Sequence, residues 1–250
     1  MKFTVDSKIL IKNLNDILMR GDYPSGASVS RRNLSPSAYM VARTDGVQLF
    51  NADMSTVCSA TIPLDTVDDI GECAIVVDTF LNYLKTFKGD VTVEVGDYVR
   101  LRTSNKTASF GIAVNHPNYA MIERLRTLSI PTEGMPVFGK NNTSFETKIV
   151  VTATDLIDAA KGCDVLKTGR YKFNYDGNEF QLSSSREGTI QSYLTTIDTQ
   201  SVEGEQSTVE VTGVFASILN DDTTVYLRDD FPILIVSGNR VLLKAPYLAR

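Results

Sequence analysis

The chain has no tryptophan, one histidine and three cysteines. These scarcities bear first on catalysis, because acid–base and nucleophilic mechanisms set a histidine or an activated nucleophile beside a second polar group. The lone histidine sits in Asn115-His116-Pro117-Asn118, a turn sequence, and reads as a loop residue with no catalytic work. No GxGxxG, GxxxxGKS/T, HExxH or GxSxG occurs. Cys58, Cys73 and Cys163 are widely spaced and odd in number. They form neither a disulfide framework nor a CxxC metal pair, and read as small buried hydrophobes in a reducing compartment. The acidic pairs Asp68-Asp69, Asp221-Asp222 and Asp229-Asp230 flank turns as solvated charges, with no converging ligand set. No enzyme, metal or cofactor is expected.

Long apolar runs are missing too. Pro232–Val236 is among the longest and is far too short to span a bilayer. The opening Met1-Lys2-Phe3-Thr4-Val5-Asp6 has no apolar signal core, so the expected location is the cytoplasm or nucleoid, or the host cell interior for a viral chain, away from membranes. An excess of positive charge is also lacking: 25 basic residues face 30 acidic ones, for a net charge of −5. That argues against a generally basic nucleic-acid binder. It leaves open a chain that is acidic outside and basic on one face.

What the chain does have is periodicity. Ser7–Met19 places Ile9, Leu10, Leu14, Ile17 and Leu18 on one helical stripe, with Ser7 as the expected N-cap. Gly21–Ser37 reads as a loop. Strands are expected at Ala38–Arg43, Val47–Asn51 and Val57–Pro63, with a helix over Thr79–Lys88 capped by Asp78. Further strands follow at Val91–Val95, Tyr98–Thr103 and Ala108–Val114.

The proline- and glycine-bearing Asn115–Phe145 reads as a connector between domains. The order then restarts with strand Lys148–Thr152 and a helix over Thr154–Lys161. Strands Arg170–Tyr175, Glu179–Ser184, Thr189–Thr196 and Ser207–Val211 come next, then a short helix, Val214–Leu219. Thr223–Leu227, Ile233–Val236 and Val241–Lys244 close the chain. The expected domains are 1–115 and 147–250, joined by 116–146, in an α+β fold of two similar halves. Each half has two helices packed on antiparallel sheets.

At this point the chain resembles the DNA sliding-clamp superfamily. Met1-Lys2-Phe3-Thr4-Val5 and Thr44-Asp45-Gly46-Val47-Gln48-Leu49-Phe50-Asn51-Ala52-Asp53 look like the start of a bacterial β clamp. Phe231-Pro232-Ile233-Leu234-Ile235-Val236 and Val241-Leu242-Leu243-Lys244-Ala245-Pro246 are similar to the end of proliferating cell nuclear antigen. The resemblance implies a ring of about six similar units around duplex DNA, closed by a two-unit chain as a homotrimer. The implied partners are double-stranded DNA read without sequence preference, DNA polymerase, an ATP-dependent clamp loader and other proteins with clamp-binding peptides.

The resemblance also assigns residues. Lys8, Lys12, Arg20, Lys85, Lys88, Lys161 and Lys167 would face DNA, where ammonium groups attract phosphates without reading bases. Ser109, Phe110, Ile112 and Val114 of one subunit would meet Ile190, Gln191, Tyr193 and Thr195 of the next, pairing two otherwise open sheet edges. A partner-peptide groove would use Ala52, Ile122, Leu125, Leu128, Ile130, Pro232, Leu243, Ala245 and Pro246. The chain departs from the family at Leu243, often aromatic there, and in its apolar ending, where acidic residues are common. Two other readings have different consequences: a specialised clamp that recruits repair or transcription proteins, and a binding protein that keeps the fold without the ring.

Overall fold

The structure is a computed structural model that describes residues 1–19, 21–25, 28–32, 35–113, 115–131, 134–139 and 141–247. The expectations for Arg20 and Val114 lie outside these residues.

The chain begins with β1 (Lys2–Asp6), α1 (Ser7–Ile17), β2 (Gly21–Ser25), β3 (Ser28–Arg32), β4 (Ser37–Arg43), β5 (Gly46–Ala52) and β6 (Thr56–Pro63). It continues with β7 (Val67–Asp69), β8 (Gly71–Val76), α2 (Val77–Leu84), β9 (Asp90–Val95), β10 (Tyr98–Arg102) and β11 (Thr107–Gly111). After α3 (Tyr119–Arg126) come β12 (Val137–Phe138), β13 (Thr143–Ser144), β14 (Thr147–Val151) and α4 (Ala153–Asp164). Next are β15 (Arg170–Tyr175), β16 (Phe180–Ser185), β17 (Ser192–Ile197), β18 (Thr199–Gly204) and β19 (Ser207–Thr212). A 3₁₀ turn at Ala216–Ile218 precedes β20 (Thr223–Leu227), β21 (Ile233–Ser237) and β22 (Arg240–Lys244). The architecture is α+β, with antiparallel sheets as expected.

Two compact units result: Met1–Met19 with Asn33–Ile122, and Arg20–Arg32 with Glu123–Arg250. In the first, strands run β8-β4-β5-β6 in one sheet and β11-β10-β9-β1-β7 in another. Period-two alternation buries Phe3, Val5, Val91, Val93, Val99 and Leu101 on one face of the second. Helix α1 lies against β5, β6 and α2 through the stripe Leu10, Leu14 and Ile17. In the second unit, β18-β14-β20-β21-β22 form one row and β17-β16-β15-β19 another. Helix α4 covers β15, β16 and β17 through Leu156, Ala159, Ala160 and Cys163. Gly204 is required where it stands: its φ is +111° and a Cβ there would come within 1.9 Å of the Glu146 carbonyl oxygen.

Several local expectations are corrected. The cap of α1 is Asp6, whose Oδ1 accepts from Lys8 N at 2.8 Å and Ile9 N at 3.2 Å. Ser7 is buried instead, its amide donating to the Gly89 carbonyl at 2.9 Å. Helix α2 begins at Val77 with no side-chain cap, so Asp78 sits in its first turn. It ends at Leu84 because Thr86 N and Phe87 N turn back to the carbonyls of Tyr83 and Leu84. The expected loop over Gly21–Ser37 holds the β2–β3 hairpin, paired from Gly21↔Arg32 to Ser25↔Ser28, which its serine- and glycine-rich composition concealed. The expected connector contains α3 and the β12–β13 pair, and the short helix expected at Val214–Leu219 is a single 3₁₀ turn.

Candidate functional site

The basic residues come first. Lys8 and Lys12 lie on the exposed side of α1, opposite its buried stripe. Lys12 Nζ is 3.9 Å from Asp16 Oδ2, a loose pair. Lys85 and Lys88 are exposed just past α2. On α4 the balance differs. Lys161 Nζ sits 2.9 Å from Asp158 Oδ1, and Asp155 and Asp164 are also exposed, so the outer face of this helix is acidic. Lys167 lines a recess of about 690 Å³ with Val165, Leu166, Arg186 and Ile190. The structure therefore brings Lys167 to the expected subunit-contact residues.

Two sheet edges follow. Strand β11 pairs only with β10, and β17 only with β16, among the described residues. Ser109 and Phe110 are on β11, whereas Ile112 lies just beyond it. Tyr193 and Thr195 are on β17, and Ile190 and Gln191 lie in the turn before it. Ile190 is 100% exposed and Leu194 62%. Each edge strand is seated on a helix by an aromatic ring. Phe110 stacks flat on Tyr83 of α2, centroids 5.0 Å apart, and meets Phe80 edge-on at 5.6 Å. The Tyr193 ring fills the space over Gly162 of α4, where a Cβ would lie 2.1 Å from the ring. Sequence reasoning missed Tyr83, Gly162 and Leu194. Gly162 carried a signal, a glycine inside a helical pattern.

The residues assigned to the peptide groove divide by burial. Ala52 and Ile122 are fully buried in the first unit, and the Ala52 carbonyl accepts from Asn118 Nδ2 at 3.0 Å. In the second unit Leu243 is 2% exposed and Leu125 is buried, while Leu128, Ile130, Pro232, Ala245 and Pro246 keep exposed surface. The pairing Ile233↔Lys244 sets Pro232 beside Ala245. Phe138 and Phe145 both meet Phe231 edge-on, at 5.7 and 5.3 Å. Arg228 adds a bond from Nη1 to the Ser144 carbonyl at 2.8 Å and an ion pair with Glu146 at 3.1 Å. These contacts pin the β12–β13 segment to the strand end that carries Pro232, an anchor the sequence reading did not find.

His116 lies in the loop between β11 and α3, as expected, and is buried there. Its Nε2 bonds the Ser37 carbonyl at 3.0 Å and its Nδ1 accepts from Asn118 N at 3.1 Å. Burial lowers its pKa, and the Ser37 bond offsets this in part. All three cysteines are buried and none is in a disulfide, and the Cys58 thiol donates to the Ile17 carbonyl at 3.1 Å. Burial pushes the Cys73 and Cys163 thiols up to about 12. Among the described residues no three His, Cys, Asp or Glu side chains converge to hold a metal, and no helix is long and apolar enough to cross a membrane.

No protein-family model matches the chain, and no curated protein matches it. Solved structures do. The DNA polymerase III β subunit of Thermotoga maritima superposes with a TM-score of 0.73 at 17% identity, over 100% of this chain and 66% of its own. The A. fulgidus PCNA crystallised with the C-terminal region of FEN-1 gives 0.70 at 14% identity, over 100% of this chain and 99% of its own. The chain has the sliding-clamp fold. The Helicobacter pylori β clamp bound to a DNA ligase peptide shares that clamp fold at a TM-score of 0.69 and 12% identity, over 100% of this chain and 67% of its own. The chain thus spans about two thirds of the bacterial clamps' length and nearly all of the archaeal clamp's.

Proposed function

We propose that the protein is a DNA polymerase processivity factor: a clamp subunit that closes into a homotrimeric ring around duplex DNA and tethers the polymerase. The observation that carries this reading is the match of the whole chain to clamp folds, including 99% of the length of A. fulgidus PCNA. The open edges β11 and β17 support ring closure, because unpaired strand edges invite strand addition. The exposed Lys8, Lys12, Lys85 and Lys88 support a sequence-independent hold on phosphates. Lys161 contributes least, since Asp158 neutralises it. An ATP-dependent loader would open the ring. The exposed Ile130 and the half-buried Leu128, Pro232, Ala245 and Pro246 would receive apolar anchors from the polymerase and from other clamp-binding peptides.

Light scattering at low and moderate salt tests the ring. A mass near three times 27.5 kDa is expected, and a monomer at micromolar concentration would overturn self-closure. Retention on circular DNA tests the topology. The expected result is a complex that survives moderate salt on a closed circle and is lost when that circle is linearised.

A further inference from the structure

Arg170 opens β15, and its guanidinium meets two segments of the second unit that no backbone pairing joins. Nη1 lies 3.0 Å from Glu187 Oε1, in the turn that leads from β16 to β17. The guanidinium carbon lies 4.3 Å from the centroid of the Tyr247 ring, in the C-terminal tail. The Tyr247 amide in turn donates to the Glu210 carbonyl on β19 at 2.6 Å. Arg170 is fixed between them by its pairing with Thr212 and by the adjacent bond from Gly213 N to the Gly169 carbonyl at 2.7 Å. Arginine suits this place. One face of the planar group stacks on a ring while its edge holds a carboxylate.

Both segments have few other holds. The turn closes on itself, with Arg186 N donating to the Gln191 carbonyl, Thr189 N to the Arg186 carbonyl and Gln191 N to Thr189 Oγ1. Its residues from Arg186 to Gln191 are all exposed. The tail leaves the sheet after Lys244, beside Pro232, and is next fastened at Tyr247.

We propose that Arg170 is a shared tether that couples the β16–β17 turn to the C-terminal tail, so that loosening one loosens the other. Its consequence rests on the clamp reading: the turn delivers β17 to the neighbouring subunit, and the tail borders the partner-peptide groove. A partner that draws Tyr247 off Arg170 loosens the turn at the subunit joint, and by linkage an opened joint frees the tail.

Amide hydrogen exchange on the full chain, read by mass spectrometry, tests this without any partner. Tyr247→Leu is expected to speed exchange of the Arg186, Thr189 and Gln191 amides by about 2- to 5-fold, the range of one exposed cation–π contact. Glu187→Gln is expected to do the same to the Tyr247 amide, and Arg170→Ala to both segments. Exchange in β14 and β20 stays as in the wild type. The tether is overturned if Tyr247→Leu changes only the tail and Glu187→Gln only the turn. Light scattering on the same samples keeps the two ideas apart, because a monomeric wild type overturns self-closure of the ring and leaves the exchange result standing.

Discussion

The ring of Tyr83 lies parallel to that of Phe110, 1° from coplanar with centroids 5.0 Å apart. The contact seats the exposed strand β11 on helix α2. Tyr83→Ala should therefore weaken assembly more than folding. An aromatic pair contributes about 0.5–1.5 kcal/mol beyond its buried area, so the ring should dissociate at several-fold higher protein concentration. Sedimentation velocity over a dilution series measures this. Unchanged dissociation with a lowered urea midpoint would mean the stack serves the unit's core alone.

Gly162→Ala probes the matching contact on the other edge. Alanine favours the helix by about 1 kcal/mol over glycine, but its Cβ would sit 2.1 Å from the Tyr193 ring. The phenol must swing off α4 and disturb β17. Chemical stability of the chain should fall by no more than about 2 kcal/mol, the cost of overpacking less the helix gain, while trimer formation falls. Urea titration beside light scattering separates the two effects, and an intact trimer would count against Tyr193 at the joint.

Charge reversal should rank the helices. Lys8→Glu with Lys12→Glu is expected to weaken retention on circular DNA and to flatten its salt dependence, by about 0.9 in log–log slope for each phosphate that is no longer neutralised. Lys161→Glu should do little, since Asp158 already occupies that ammonium group. Equal weakening by both variants would place α4 at the DNA on the same terms as α1.

Burial divides the groove variants. Leu243→Ala should cost about 2–5 kcal/mol of stability, because it empties a core site. Ile130→Asp alters an exposed position and Pro232→Asp a half-buried one. They should leave thermal unfolding and ring mass unchanged and reduce polymerase stimulation by about tenfold or more, the scale of removing a central anchor. Normal stimulation by both would move partner capture elsewhere.

His116 supplies a pH dependence. Its folded pKa lies below the ordinary 6.5 because the imidazole is buried. Below 6.5 the unfolded chain takes up a proton that the folded chain refuses. Stability is then complete above that value and falls as pH drops, by at most about 1.4 kcal/mol per pH unit for one group. Urea midpoints at pH 8, 6 and 5 should show the decline, and His116→Gln should flatten its part of it.

The helical stripes and most core strands were legible because burial enforces a period. Leu10, Leu14 and Ile17 could lie on one face only as a helix, and Val91 and Val93 only as a strand. Strand β18 gave no such signal, since Thr199–Gly204 pairs with β14 while offering almost nothing to a core. The hairpin of β2 and β3 was hidden by its turn-forming residues, and helix α3 by the proline- and glycine-bearing stretches on either side of it. The cap of α1 is displaced by one residue from its expected place because Asp6 and Ser7 are both good capping residues, and only geometry shows which side chain turns back. Within the candidate site, exposed lysines and edge strands could be named from the sequence. The seats of the edge strands, Tyr83 under Phe110 and Gly162 under Tyr193, join residues far apart in the chain, and only Gly162, a glycine inside a helical pattern, left a local trace.

The three buried thiols leave the native chain quiet toward maleimide reagents, since Cys58 is wholly enclosed and the other two hold their protons to about 12. A cysteine placed at the 90% exposed Met54, away from both edge strands, would then be the single reactive handle on the molecule. One dye at that position, donor on some chains and acceptor on others, would report subunit exchange in real time with no cysteine-free background to build first.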